Sequence, residues 1–551
     1  MKRIAYDMTT SIVTLSFFAP MDRTAHSESA DNSTPLQQPT VTQSPSNLQV
    51  DTNLFNNGSS AFQAYEHQGT LYITNNGVAS SEIYINGKII PAHQIFHSKN
   101  GKTMKLDIGR YTGNGTNTIQ FKNIQPEGAS LHVSIPYPTL IKTPKEAIHS
   151  SKIFQRVDEL IDQEVTNGFP GAALIVVKDG KIVKNTAYGF AKKYDAHTLL
   201  QHPQKMKEDT MFDIASNSKM YAVNYALQKL VSEGKININA RVQDYIPEFK
   251  DEPTDLVKGK DKLCLIDILH HCAGFLADPQ YHNPKVSKDL YSQERDKTLQ
   301  MMLKTPLQYE HGTKNIYSDV DYMLLGYIIE KVTGQRLDDY VENTIYKPLG
   351  LTHTLFNPLQ KGFQPNDFAA TELAGNTRDG VISFPNIRTY TLQGEVHDEK
   401  AFYSMSGVSG HAGLFSSTGD LAVLLQVMLN GGGYGNVKLF DRSVIDTFVQ
   451  SSSLNPTYGL GWRKNADSSM KWMFGPYASR STVGHTGWTG TLTVIDPDNN
   501  LGIVLLTNKK HSPLIDPKID ANKFAGDVFQ TGKYGAVVTR VYEALGIAQK
   551  Q

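Results

Sequence analysis

The sequence predicts an α+β chain in which an antiparallel sheet flanked by helices follows a small all-β sandwich. Two hairpin patterns, at residues 171–188 and 491–506, bracket a mostly helical and looped middle and so predict the larger part. Short alternating runs between residues 55 and 138, punctuated by Asn86-Gly87 and Gly113-Asn114-Gly115, predict the smaller part. At 551 residues the chain has room for more than one domain and a large buried core.

Taken in order, residues 1–30 read as a signal or signal-anchor segment: Lys2 and Arg3, then the apolar Ile12–Ala19, then small residues at Ser27–Ala30. The expected location is extracytoplasmic, in the periplasm, at the cell surface or membrane-associated. Residues 31–50, rich in Ser, Thr, Pro and Gln, bury too little apolar surface to order themselves and read as a linker. Residues 51–140 carry the strands Leu71–Thr74, Ile83–Ile85, Met104–Ile108, Thr118–Phe121 and Leu131–Ile135. Asn86-Gly87 joins Ile85 to Lys88–Ile90 as a hairpin, because a type I′ turn needs positive φ at both central residues. This module resembles the jelly-roll accessory modules of carbohydrate-active enzymes, which implies glycan or wall contact, or a spacer. Tyr84, Tyr111 and Phe121 read as core or edge residues rather than a sugar platform.

The larger domain is expected at 150–545. Ile153, Phe154, Val157, Leu160, Ile161 and Val165 have helical spacing up to the break at Asn167-Gly168. Gly171–Lys178 is an apolar strand, turned by Asp179-Gly180 into a partner at Lys181–Tyr188. At the far end Thr491–Ile495 and Leu501–Leu506 flank Asp496-Pro497-Asp498. Hairpins at both ends predict one sheet completed by both termini.

Lys+Arg and Asp+Glu both total 54, so no global basic field attracts nucleic acid or an acidic membrane. The expected partner is small and bound locally. The two cysteines, Cys264 and Cys272, would stand roughly 12 Å apart on a helix, too far for a disulfide, and read as buried free thiols. His270 and His271 have no second ligand pair at metal spacing and read as structural.

Three short stretches carry chemistry. Ser216-Asn217-Ser218-Lys219 precedes Met220, Val223, Leu227, Leu230 and Val231, apolar at helical spacing until Gly234. Positions i and i+3 share a helix face, so the Ser216 hydroxyl can meet the Lys219 amine, the kind of partner an inert serine needs. Tyr317-Ser318-Asp319 precedes a helix at Val320–Val332, and a phenol there can act as a base beside an ammonium. The alternative is a packed tyrosine, with Ser318 and Asp321 as a capping pair. Gly484-His485-Thr486-Gly487-Trp488 opens a hairpin strand whose glycines allow close backbone approach and whose hydroxyl can bind a carboxylate.

In this order the three resemble the signature of the serine β-lactamase and penicillin-binding superfamily: Ser-x-x-Lys, Tyr-x-Asn, then Lys-Thr-Gly or His-x-Gly. The resemblance runs from about 150 to 540. It includes Gly168–Gly171, Asp267–Gly274, Gly410–Ser417 with Asp420-Leu421, and Tyr458–Trp462, all typical of the class C-like branch, which holds esterases and D-amino-acid peptidases. It implies that Ser216 is acylated, that Lys219 and Tyr317 share the proton traffic, with the acylation base left open between them, and that no metal or organic cofactor is needed. It places the oxyanion between the N–H groups of Ser216 and Trp488, and the substrate's carboxylate or leaving group at His485, Thr486 and Gly487.

Two departures bear on substrate. Asp319 stands where many relatives have Asn, and an ionised carboxylate cannot donate to an acyl carbonyl; it faces a substrate amine or serves the helix. His485 replaces Lys, giving a weaker, pH-dependent charge. The leading expectation is a D-Ala-D-Ala carboxypeptidase of the cell envelope acting on peptidoglycan stem peptides. The alternatives are a carboxylesterase or weak β-lactamase, and a catalytically degenerate envelope-binding protein. His397-Asp398 reads as a polar loop near the site, with a structural role.

Overall fold

The computed structural model describes residues 47–91, 101–142 and 152–547. The leader and most of the expected linker lie outside the described residues. No described helix is long and apolar enough to cross a membrane.

The first eight strands make two facing four-stranded sheets. β1 (Val50–Leu54), β8 (Leu131–Ile135), β3 (Thr70–Asn75) and β6 (Thr103–Asp107) form one; β2 (Ser59–Ala64), β7 (Gly115–Gln125), β4 (Ser80–Ile85) and β5 (Lys88–Ile90) form the other. Their alternate side chains, among them Phe62, Leu71, Ile83, Ile119, Phe121 and Val133, meet in one core, as period-two strands dictate. Asn86 and Gly87 have φ of 51° and 75°, the positive values the Asn-Gly hairpin requires. Phe121 is core, while Tyr84 stays near the surface with its hydroxyl donating to Glu82.

β9 (Ile141–Lys142) leads into the larger sheet, pairing in parallel with β11 (Lys181–Asp195). That sheet runs β12 (Thr198–Lys205), β11, β10 (Gly171–Lys178), β21 (Leu501–Thr507), β20 (Thr491–Asp496), β19 (Val483–Gly487) and β18 (Arg463–Lys464). The C-terminal hairpin therefore sits beside the N-terminal one, Ala173 opposite Leu506 and Ile175 opposite Val504. β10 reads as a continuous apolar run because both its faces are covered. Ala172, Leu174 and Val176 pack on α1 (Gln155–Thr166) and the last helix, Gly535–Ala544, through Val157, Ile161, Val538 and Val541. Ala173, Ile175 and Val177 face the helical middle of the chain.

That middle holds α2 (Tyr225–Ser232), α3 (Asp319–Thr333) and α4 (Thr418–Leu429). A small sheet of β13 (Phe212–Asp213), β15 (Leu414–Ser416) and β14 (Leu355–Phe356) lies before the nucleophile's turn, and β16 (Gly433–Tyr434) pairs with β17 (Val437–Lys438). The β16–β17 turn holds the sandwich: the Tyr137 N–H donates to Gly435 O at 2.8 Å, and the Leu140 N–H to Tyr434 Oη at 3.0 Å.

Candidate active site

The expected helix at Ser216 is not regular from its start. A 3₁₀ turn at Ala215–Asn217 leads into a π-helical stretch, Lys219–Asn224, and only then into α2. Irregular turns of this kind mark functional segments. Ala215 takes a φ of 47°, rare for a side chain with a Cβ, and its N–H donates to Asp213 Oδ1 at 2.8 Å. Asn217 fastens the turn to the sheet: it donates to Thr491 Oγ1 at 3.0 Å and accepts from Thr493 Oγ1 at 3.2 Å. The Ser218 hydroxyl accepts the Leu414 N–H at 3.0 Å. Ser216 is thus presented from a turn tied down on three sides.

Lys219 is fully buried. Its Nζ donates to Ser216 Oγ at 3.1 Å, Asp319 Oδ1 at 2.9 Å and His411 O at 3.0 Å. Burial pushes its pKa down, but Asp319 and Tyr317 outweigh burial and the net direction is up. Lys219 is therefore an ammonium with all three protons committed. It also lies 4.8 Å from the centre of the Tyr317 ring. Tyr317 lines the same two cavities as Ser216, and among the described residues its buried hydroxyl has no hydrogen-bond partner.

Tyr317 is held from behind by His271, their rings 4.6 Å apart. His271 Nδ1 lies 2.7 Å from Asp321 Oδ2 and accepts the Ser318 N–H at 3.3 Å. The spacing is that of an ion pair, yet burial drives His271 well below and Asp321 well above their ordinary pKa values. Ser318 does cap α3, accepting the Val320 N–H at 3.2 Å, but Asp321 turns inward to His271, so the Ser-x-x-Asp capping pair of the alternative reading does not form. His271 is structural, as its sequence context indicated. Cys264 and Cys272 are free; Cys272 is buried and Cys264 half-buried, which corrects the expectation that both are buried.

The Gly487 backbone packs on the nucleophile's turn. A Cβ there would strike the Ile214 carbonyl and Thr491 Oγ1, so this glycine serves approach to the protein's own backbone rather than to a ligand. Trp488 follows it, 39% exposed, and borders both cavities with Ser216. Thr486 lines one of them.

His485 does not supply the expected charge. Its Nδ1–H donates to Thr486 O at 2.8 Å, and burial, helped by Arg463 and Lys219, pushes its pKa down to about 3. The cation beside Tyr317 on this side is Arg463, which sequence reading missed although the quoted Tyr458–Trp462 motif stops one residue short of it. β18 carries Arg463 opposite Gly484, and its guanidinium carbon lies 5.7 Å from the Tyr317 ring centre and 4.3 Å from that of Tyr458.

Two cavities open on Ser216. One, of about 560 Å³, is bounded by Arg463, Lys509, Lys510 and Lys523 against Asp520 and Asp527, with Trp472 and Trp488 at its walls. The other, of about 320 Å³, contains Asp319, Asp278, Asp398 and Lys400. Asp398 and His397 both line this cavity, Asp398 accepting from His411 Nε2 at 2.8 Å and His397 buried beside Glu372. Asp319 is ionised: burial pushes its carboxyl up, but Lys219, Lys400 and His411 outweigh it and hold it well below the usual range. Asp319, Asp398 and His411 have ligand atoms within 4.8 Å of one another, a spacing a metal could use. Lys400 Nζ, 3.2 Å from Asp319 and 3.4 Å from Asp398, already places a cation there.

A seryl hydroxyl bonded to a buried ammonium, beside a phenol at the mouth of a cleft, can form an acyl-enzyme and pass a proton to a leaving group. Comparisons agree with this class. A beta-lactamase family profile matches residues 157–526. A Bacillus subtilis (strain 168) protein named N-acetylmuramyl-L-alanine amidase is 60% identical over 396 residues, covering 72% of this chain and 90% of its own length. A Salmonella typhi protein named "Putative D-alanyl-D-alanine carboxypeptidase" is 58% identical over 413 residues, 75% of this chain and 96% of its own. A penicillin-binding protein homologue from Caulobacter crescentus shares the fold, with a TM-score of 0.51 at 20% identity over 71% of this chain and 97% of that one. The chain is a serine hydrolase belonging to the beta-lactamase family.

Proposed function

We propose that this hydrolase cleaves an amide bond in peptidoglycan or its fragments, between an N-acetylmuramyl group and the L-alanine of a stem peptide. The observation that carries this reading is the leaving-group side of the cleft. A cavity of about 560 Å³ with four cationic side chains, two carboxylates and two exposed tryptophans is of a size that holds a drug-sized ligand. It suits an acidic peptide better than a single small amino acid. The Bacillus relative's name agrees. The Salmonella relatives' names, and Arg463 as a single cation for a terminal carboxylate, favour the second reading, a D-Ala-D-Ala carboxypeptidase.

In either reading Ser216 Oγ attacks the carbonyl carbon, and the oxyanion forms between the Ser216 and Trp488 N–H groups. Lys219 has no lone pair to offer, so Tyr317, reacting in its phenolate form, takes the seryl proton, and the phenol so formed delivers it to the departing amine. Water then hydrolyses the acyl-enzyme. The expected export leader fits a wall-derived substrate, and the β-sandwich is proposed to contact glycan or wall.

Incubation with an N-acetylmuramyl pentapeptide, read by mass spectrometry, separates the two readings. The amidase releases free pentapeptide and N-acetylmuramic acid; the carboxypeptidase releases D-alanine and leaves the sugar attached. Turnover of neither bond, with hydrolysis of short-chain esters, returns the protein to the carboxylesterase alternative.

A further inference from the structure

Asp319 lines the 320 Å³ cavity beside Ser216, and its carboxylate has only acceptors to offer. A carboxamide there would present one oxygen and one N–H. The structure divides these two jobs between two residues. Asp319 Oδ1 accepts from Lys219 at 2.9 Å, and Asp319 Oδ2 faces the Lys400 ammonium at 3.2 Å. Lys400 is buried, yet it borders the 320 Å³ cavity that opens on Ser216.

We propose that Lys400 donates to an oxygen on the acyl part of the substrate, so that the Asp319–Lys400 pair does the work of one carboxamide; this rests on the reading of the site as a serine amidase. The Lys400 ammonium meets three carboxylates: Asp278 Oδ1 at 2.6 Å, Asp319 Oδ2 at 3.2 Å and Asp398 Oδ2 at 3.4 Å. The side chains of Asp319 and Asp398 are 16% and 20% exposed, and Asp398 is itself fixed by His411 and by the Ala401 N–H at 2.9 Å. These two hold Lys400 in place. Asp278, 55% exposed at the mouth, is the partner an incoming oxygen displaces at least cost. The acyl group this arrangement selects carries a neutral acceptor, a carbonyl or ether oxygen, close to the scissile carbonyl.

Two 4-nitrophenyl esters test this with the full chain: the acetate, whose acyl group has no second oxygen, and the N-acetylglycinate, whose acyl group has an amide oxygen. Neither contains a sugar or a stem peptide, so the result is independent of which wall bond the enzyme cuts. The wild-type protein is expected to prefer the N-acetylglycinate in kcat/KM. Lys400→Met should reduce that preference about tenfold or more, as the loss of one charged donor predicts, read as the ratio of the two esters within each variant. Asp319→Asn/Lys400→Met, which restores an N–H at position 319, should regain it. An unchanged preference in Lys400→Met, an equal loss on both esters, or no recovery in the double variant overturns the proposal. Should Lys400→Met fail to fold, Asp278→Ala at the half-exposed mouth decides: it frees Lys400 and should raise the preference, and an unchanged or lowered preference overturns the proposal.

Discussion

Lys219 and Asp319 form a buried ion pair, 2.9 Å between Nζ and Oδ1, one hydrogen bond away from the nucleophile. The pair fixes Lys219 as a donor. Its charge stands beneath the Tyr317 ring and beside Ser216, and in the proposed mechanism the acceptor for the seryl proton is Tyr317.

Tyr317→Phe removes that acceptor and leaves the Lys219–Asp319 pair intact. The expected loss is about 10²–10⁴-fold in kcat, the usual worth of a positioned acid–base group, with KM little changed. Steady-state kinetics on an amide substrate checks it. A Tyr317→Phe enzyme with wild-type kcat would return the base to Lys219.

Arg463→Met tests the cation that His485 does not provide. Substrates whose leaving group bears a carboxylate should show a raised KM, by roughly 10–100-fold for a lost charged contact. Hydrolysis of 4-nitrophenyl acetate should barely change. Equal effects on both would mean that Arg463 merely packs against Tyr458.

Gly487→Ala places a methyl group against the Ile214 carbonyl, at the turn that presents Ser216. The backbone has to give way, and overpacking of this kind costs about 1–3 kcal/mol. A lowered melting temperature together with lost acylation of Ser216 is expected. Thermal unfolding and mass-spectrometric labelling report the two effects separately.

The pH dependence of stability carries the mark of His485. Its pKa of about 3 in the folded chain lies below the ordinary histidine value of 6.5, so between these values the unfolded chain binds the extra proton. Its contribution is complete above pH 6.5 and declines as pH falls towards 3. His485→Asn should therefore lose less stability than the wild type between pH 6 and pH 4, measured by denaturant unfolding. Parallel curves for the two proteins would contradict the assignment.

Sequence reading reached the sheet because hairpins and two-sided apolar strands are written in local order: Asp179-Gly180 turns where its residue types demand it, with φ of 49° and 69°. It reached Ser216, Lys219 and Tyr317 because each lies in a short run whose residue types carry chemistry at fixed spacing. It took the α2 segment as one regular helix, since periodicity does not distinguish an α-helix from the 3₁₀ and π turns that precede Tyr225. The alternative reading placed Asp321 in a capping pair, and a capping pattern does not reveal the competing partner, His271, that lies 50 positions away.

What the sequence by itself determined was the inventory: a strand-rich module, a sheet closed by both ends of the larger region, and a serine, a lysine and a phenol in a given order. The tertiary structure decided the charge states. Lys219 is a committed ammonium, His485 is neutral, Arg463 is the cation and Lys400 meets Asp319, because each depends on burial and on partners brought from distant parts of the chain. Ionisation follows the local dielectric and the nearest charges, and neither is a property of sequence neighbours.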